Sequence, residues 1–388
     1  MLVPPSGAPP DTPQTPGSGP RRVQGGMLVP KGCSCPPRVP HSPPPDAWVR
    51  PAAGAGGDAR ARGRGDARAQ GMLVPKGCSC SPRAPHSPPP DTWVRPAAGG
   101  DARPTAHLAP RRGFSYVDLV EGLRDGRFYA LKRILCHDKE DRRAALHEAE
   151  MHGLFEHPNI LRLEAHCLVE KGTKHEAWLL LPYVQGGTLW SEVEALRDRG
   201  ASMPERRILR ILHGICRGLQ AIHGKGYAHR DLKPTNVLLD EDDQAVLMDL
   251  GSMNQARIEV NSSQEAMAVQ DWAAQRCTIS YRAPELFMVQ SQCVIDERTD
   301  IWSLGCVLYC MMFGEGPFDM IFQKGDSVAL AVQNPVAVPP DSRYSAALHR
   351  LLSSMLTVNP QERPHITDVL DQLEGLEPAP AGQDTTQI

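Results

Sequence analysis

The sequence predicts an α+β fold of two lobes, a small strand-rich part followed by a large helical part, with the functional site in the cleft between them. Three observations carry this. First, alternating apolar runs at residues 114–120 and 128–134 read as strands, with Asp125-Gly126 as the turn between them. Second, charged residues 138–152 follow as a helix, and Trp178-Leu179-Leu180-Leu181 reads as a buried strand ended by Pro182. Third, the chain beyond Gly187 is mainly helical, with loops at 227–252 and 276–284. Within it, residues 245–248 form a short strand, 264–275 an amphipathic helix and 303–313 a buried helix. No apolar run reaches the ~18 residues of a membrane span.

Composition separates these lobes from what precedes them. Residues 1–112 hold 24 of the 37 prolines and 15 Lys/Arg against 6 Asp/Glu, whereas the rest carries 27 against 39. A basic Pro/Gly/Arg-rich stretch with almost no Ile or Phe buries too little apolar surface to offset its ordering entropy. The expected organisation is a disordered tail over 1–112, a single bilobal domain over 113–374 and a flexible C-terminal tail over 375–388. A tandem repeat runs through the first tail: Met27-Leu28-Val29-Pro30-Lys31-Gly32-Cys33-Ser34-Cys35 returns 45 residues later, and Trp48-Val49-Arg50-Pro51 returns as Trp93-Val94-Arg95-Pro96. It lacks the apolar periodicity by which solenoid repeats stack, so duplication of a disordered segment is the reading. Pro43-Pro44-Pro45 and Pro88-Pro89-Pro90 are candidates for SH3 or WW grooves as polyproline helices, against the preferred reading of a solvated low-complexity tail. The arginines around residues 60–68 suit nucleic acid or anionic lipid, but the acidic globular part argues against a nucleic-acid partner. Eleven cysteines without disulfide or zinc spacing suit a reducing intracellular compartment. Residues 1–5 lead into prolines rather than the apolar core of a secretory signal, which points to the cytoplasm.

The chemistry concentrates in His229-Arg230-Asp231-Leu232-Lys233-Pro234-Thr235-Asn236, followed by Asp249-Leu250-Gly251. Asp231 is placed to accept a proton from an attacking hydroxyl, and Asn236 and Asp249 offer oxygens to Mg²⁺, offsets that suit phosphoryl transfer from a magnesium nucleotide. Gly251 is expected to free the backbone beside Asp249. Lys132 lies on an inward-facing strand position, where it grips nucleotide phosphates unless it is an edge lysine that reaches water. Glu148 is its counter-charge, nine residues before His157-Pro158-Asn159, with Glu150 as the rival.

Together with Tyr129-Ala130-Leu131-Lys132, Ser280-Tyr281-Arg282-Ala283-Pro284-Glu285 and Asp300-Ile301-Trp302-Ser303-Leu304-Gly305, these motifs make the chain from Gly113 to about Leu373 resemble a eukaryotic serine/threonine protein kinase, specifically of the Numb-associated kinase family. The resemblance implies a bilobal kinase fold, protein substrates, ATP and Mg²⁺. By position it implies that Lys233 steadies the transferring phosphoryl group and that Lys132 paired with Glu148 holds the α- and β-phosphates. Val117, Leu181 as gatekeeper, and the backbones of Pro182 and Val184 would line the adenine. Thr278 would pack near Asp231 and Lys233 and favour serine and threonine acceptors, with tyrosine left open. Glu285 and Arg363 would form a buried ion pair, and Asp300 would brace the catalytic loop. Arg230 either receives an activation-segment phosphate, from Ser262, Ser263, Thr278, Ser280 or Tyr281, or is a structural arginine held by carbonyls. The family also implies an extra helix in the activation segment and peripheral association with Golgi or perinuclear membranes.

The chain departs from that family at two places. Where a G-x-G loop is required it has Pro110-Arg111-Arg112-Gly113, and residues 104–109 do not read as the strand that should precede it. The expected small lobe therefore lacks its first strand. Without two phosphate hydrogen bonds, worth ~1.5–3 kcal/mol each, nucleotide binding would weaken by roughly 10² or more. That raises a pseudokinase scaffold as the alternative. Leu2 stands where the lipidated members carry glycine, which excludes N-myristoylation; Cys33, Cys35, Cys78 and Cys80 read as inert tail thiols, with S-acylation as the alternative, since a lone acyl signal anchors only marginally.

Overall fold

Alternation in the first two runs becomes an antiparallel pair, β2 (Ser115–Gly122) and β3 (Phe128–Cys136), joined at Gly126 with φ 66°. The computed structural model describes residues 94–96, 115–123, 125–172, 174–339 and 342–376. The rest of the expected N-terminal tail, its repeat and cysteine pairs, the substituted loop at Pro110 to Gly113, and the C-terminal stretch beyond 376 lie outside the described residues.

The small sheet is completed by β1 (Val94–Pro96), β4 (Ala165–Lys171) and β5 (Lys174–Pro182), in the antiparallel order β1-β2-β3-β5-β4. This corrects the expectation of a lobe without its first strand. Val94 pairs with Gly122 and Pro96 with Val120, so three residues of the expected tail serve as the edge strand. A three-residue strand is too short to show alternation, and a proline, which donates no hydrogen bond, is tolerated only at such an edge.

Period-2 alternation splits β5 between two apolar layers. Trp178 and Leu180 pack with Val120, Leu131 and Val169 on one face. Ala177 and Leu179 face Cys136, Ala145 and Ala149 on the other, beneath α1 (Lys139–Gly153). The Asp138 carboxylate caps α1, accepting from the N–H groups of Glu140 and Asp141. Its buried positions, Ala145, Glu148, Ala149, Met151 and His152, follow the helical period.

The large lobe is built on α2 (Leu189–Asp198) and α3 (Glu205–Gly224), whose Ile208, Leu212, Ile215, Leu219 and Ile222 are wholly buried. The expected loop at 227–252 contains short strands: β6 (Tyr227–Ala228) pairs with β9 (Asn254–Gln255), and β7 (Val237–Leu239) pairs with β8 (Ala245–Leu247). Next come β10 (Ile258–Val260), α4 (Ser263–Arg276) and β11 (Cys293–Ile295), with β10 and β11 paired. The buried helix α5 spans Arg298–Phe313, and α6 (Asp319–Gln323), α7 (Val328–Ala331), α8 (Ala346–Met355) and α9 (Ile366–Glu374) finish the lobe. Among the described residues no helix is long and apolar enough to cross a membrane.

Two stitches set the cleft. Asn159 Nδ2 donates to Ala245 O at 2.8 Å, and the amides of Leu161 and Leu247 bond the carbonyls of Leu247 and Asn159, tying the segment after α1 to β8. At the other end of the cleft, Leu239 N donates to Gly187 O. A Cβ on Gly186 would lie 2.2 Å from Leu239 O, so only glycine permits this approach of the connecting turn to β7.

Candidate active site

The loop from His229 to Asn236 is held from below by α5. Asp300, with no solvent exposure, accepts from His229 N at 2.7 Å, Arg230 N at 2.8 Å and His223 Nε2 at 2.9 Å. Burial opposes a charged Asp300, but the His223 hydrogen bond and neighbouring cations hold its carboxyl below the ordinary range. Arg230 stands in the left-handed region at φ 66°, so its side chain turns away from the loop. All five of its N–H groups are used: Asn254 Oδ1, Asp296 O, Thr299 Oγ1, Gln255 O and Ala256 O accept at 2.6–3.0 Å. No donor remains for a phosphate, and the structural alternative for Arg230 is the one the geometry supports.

Asp231 faces the cleft with both oxygens engaged. Its Oδ1 accepts from Thr278 N at 2.8 Å and Thr278 Oγ1 at 2.6 Å, while its Oδ2 accepts from Lys233 Nζ at 2.7 Å. Lys233 also donates to Thr278 Oγ1 at 2.8 Å, closing a ring of three side chains from two segments. The 3-10 turn Pro234–Asn236 brings Asn236 back, and its Nδ2 donates to Asp231 O at 2.9 Å. Asn236 Oδ1 is buried without a partner. An amide oxygen kept open in an otherwise satisfied loop is a hard donor suited to a magnesium ion.

Lys132 is not an edge lysine, because β3 lies between β2 and β5. Its Nζ donates to Glu148 Oε1 at 2.7 Å and to Asp249 Oδ1 at 3.1 Å, and Glu148 rather than the exposed Glu150 is the partner. Burial alone would lower its proton affinity, but Asp249 and Glu148 outweigh it and keep the ammonium firmly charged. Lys132 in turn pulls Asp249 below the ordinary carboxylate range. Asp249, not Gly251, adopts the unusual backbone, at φ 62° and ψ 66°. Gly251 instead gives room to Glu148, whose Oε2 would lie 3.3 Å from an added Cβ. The fit to a divalent cation is therefore an open amide oxygen plus a carboxylate, with the remaining ligands left to phosphate and water.

Above these groups, Val117 lies directly opposite Lys132 in the β2–β3 register. Leu181 is buried at the end of β5, with Pro182 and Val184 half-buried after it. Glu285 and Arg363 do not enter the cleft. They form a two-pronged ion pair at 2.8 and 3.1 Å beneath it, with the guanidinium stacked 5.3 Å over Trp302. The helix α4 follows Asp249, as expected for the activation segment. Of the candidate acceptors there, Ser280 and Tyr281 are buried, and Ser262 caps α4 through Glu265 N.

The protein kinase domain family matches residues 113–373 of this sequence. The chain belongs to the protein kinase family. Serine/threonine-protein kinase 16 of Rattus norvegicus and of Homo sapiens are each 70% identical over 276 residues, 71% of this chain and 90% of the relative. Serine/threonine-protein kinase ppk13 of Schizosaccharomyces pombe is 32% identical over 298 residues, 68% of this chain and 87% of the relative. Sequence reasoning missed three hydrogen bonds in this kinase. The His223 bond to Asp300 and the Asn159 bond to Ala245 sit on motifs that offer no local hint of a partner 77 or 86 residues away. His147 Nε2, 2.7 Å from Met253 O, joins α1 to the activation segment, and nothing but its place on the helix could have marked it.

Proposed function

We propose that this kinase transfers a phosphoryl group from Mg-ATP to serine and threonine hydroxyls of proteins, through its domain at residues 113–374. The observation that carries the reading is the ring of Asp231, Lys233 and Thr278 beside the open Oδ1 of Asn236. A substrate hydroxyl approaching the ring meets Asp231, which takes its proton, while Lys233 balances charge on the group in transfer. Thr278, bonded to both, orients the carboxylate and supports serine and threonine as acceptors against a tyrosine-only enzyme. Lys132 holds the α- and β-phosphates, with Glu148 fixing its position. Val117, Leu181 and the backbone at Pro182 and Val184 receive the adenine. Asn236 and Asp249 would hold Mg²⁺, which supplies neutralisation of phosphate charge. Identity to serine/threonine-protein kinase 16 supports the acceptor class, and the helix α4 supports placement in the Numb-associated family. Peripheral Golgi membrane association rests on that family resemblance alone.

A pseudokinase scaffold is the second reading, favoured by Pro110 and Arg112 at the phosphate loop. A thermal-shift titration separates the two, since bound Mg-ATP raises the melting temperature as RT ln(1 + [L]/Kd). The kinase reading expects a shift at millimolar Mg-ATP and peptide phosphorylation that drops about 10²–10⁴-fold in Asp231→Asn with the fold retained. No shift, or undiminished transfer by the variant, overturns it.

A further inference from the structure

The stretch from Asp249 to Thr278 serves both sides of the proposed transfer. Asp249 meets Lys132 at one end, and Thr278 meets Asp231 and Lys233 at the other. Between them lie β9, β10 and α4, so local chain geometry does not fix one end against the other.

Helices commonly close with a left-handed residue that returns an N–H to the last carbonyls. The helix α4 does not: Cys277 is extended, at φ −97° and ψ 131°, because the chain must run straight on to the cleft. Its N–H reaches Ala273 O, which leaves the later carbonyls without helical partners. On the link Arg276-Cys277 both carbonyls are taken by side chains from elsewhere. Ser252 Oγ donates to Arg276 O at 3.0 Å, and Arg282 Nη2 donates to Cys277 O at 2.9 Å. The next residue is Thr278, whose N–H and hydroxyl both reach Asp231 Oδ1. Ser252 itself stands on fixed ground. It ends the 3-10 turn that Asp249 begins, Leu250 and Met253 near it are buried, and Met253 O meets His147 Nε2 at 2.7 Å.

We propose that Ser252 is a positioning residue for the acceptor side of the site. Through Arg276 O it fixes the link to Thr278, and so keeps the Asp231 carboxylate in register with Asp249. The proposal rests on the kinase reading given above. Stability alone does not call for this hydroxyl. Ser252 and Arg276 both line an open groove of ≈ 440 Å³ between α1 and α4, where water would satisfy the carbonyl as well. What water cannot supply is a tie between the two segments.

Ser252→Ala removes the tie, and Ser252→Thr keeps the hydroxyl, with the groove leaving room for the added methyl. Hydrogen–deuterium exchange, read by mass spectrometry over residues 275–282, follows the Thr278 N–H and needs no catalytic activity. Exchange there is expected to quicken about three- to ten-fold in Ser252→Ala, the effect of one neutral hydrogen bond, and to return to the unaltered rate in Ser252→Thr. In peptide phosphorylation, kcat is expected to fall by a similar factor in Ser252→Ala and to recover in Ser252→Thr. The KM for ATP should stay unchanged, because Lys132, Glu148 and Asp249 keep their contacts. Unchanged exchange in Ser252→Ala, a loss that Ser252→Thr fails to restore, or an equal rise in the KM for ATP overturns the proposal. A chain that transfers no phosphate in any form, while its exchange follows the expected pattern, overturns the kinase reading and leaves the tie standing.

Discussion

Lys132 holds two carboxylates at once, Glu148 and Asp249, and each would be left exposed to an uncompensated field without it. Lys132→Met removes the ammonium but keeps the chain length, so it tests charge rather than bulk. Transfer is expected to fall about 10²–10³-fold, the usual effect of deleting one electrostatic stabiliser, read by an ATP titration of peptide phosphorylation. The melting temperature should fall as well, because Glu148 stays buried without its partner. At this scale the sequence was largely legible: strand alternation pointed Lys132 inward, and the offset to His157 chose Glu148 over Glu150. It misassigned the unusual backbone, which falls on Asp249 rather than Gly251. Glycine marks where strain is cheap, and a packed site holds a non-glycine residue in that region only when its surroundings demand it.

Among elements, the activation segment and α1 carry the testable features. The strand β9 with the adjoining Ala256, and the start of α5 with the preceding Asp296, surround Arg230 with five oxygens, so Arg230→Ala strands buried acceptors. A loss of about 3–5 kcal/mol is expected, comparable to breaking a buried ion pair, measured by urea unfolding. Phosphatase treatment of the unaltered kinase should leave its activity unchanged, since no N–H of Arg230 is free for phosphate. On α1, burial holds His152 below its ordinary pKa of 6.5, with His157 and His166 shifted the same way. The folded chain thus keeps these rings neutral where the unfolded chain takes up protons. Stability is expected to fall as pH drops below ~6.5, and His152→Gln should flatten the fall in urea midpoint between pH 7.5 and 5.5. Carboxylates with lowered pKa, such as Asp300, add their own loss only at more acidic pH. The strand β1 escaped sequence reading for want of length, while α1 was legible from its run of charged residues and α4 from its amphipathic spacing.

Across the whole molecule, Arg363 fastens the end of the chain to the site. It bonds Glu285, Thr357 O, Val358 O and Arg298 O, and stacks on Trp302. Arg363→Met should cost about 3–5 kcal/mol and lower the melting temperature by at least ~6 °C, at ~2–4 °C per kcal/mol for a domain of this size, as read by differential scanning calorimetry. By itself the sequence determined the two-lobed class and the types and spacing of the candidate site residues, because short-range periodicity and motif offsets are local properties of the chain. Only the tertiary structure decided that Arg230 is consumed by structure, that Asn236 keeps one oxygen open, and that a piece of the proline-rich tail closes the sheet. Each of these depends on partners brought together from distant segments, and hydrogen-bond satisfaction in a buried site is a property of the packed whole.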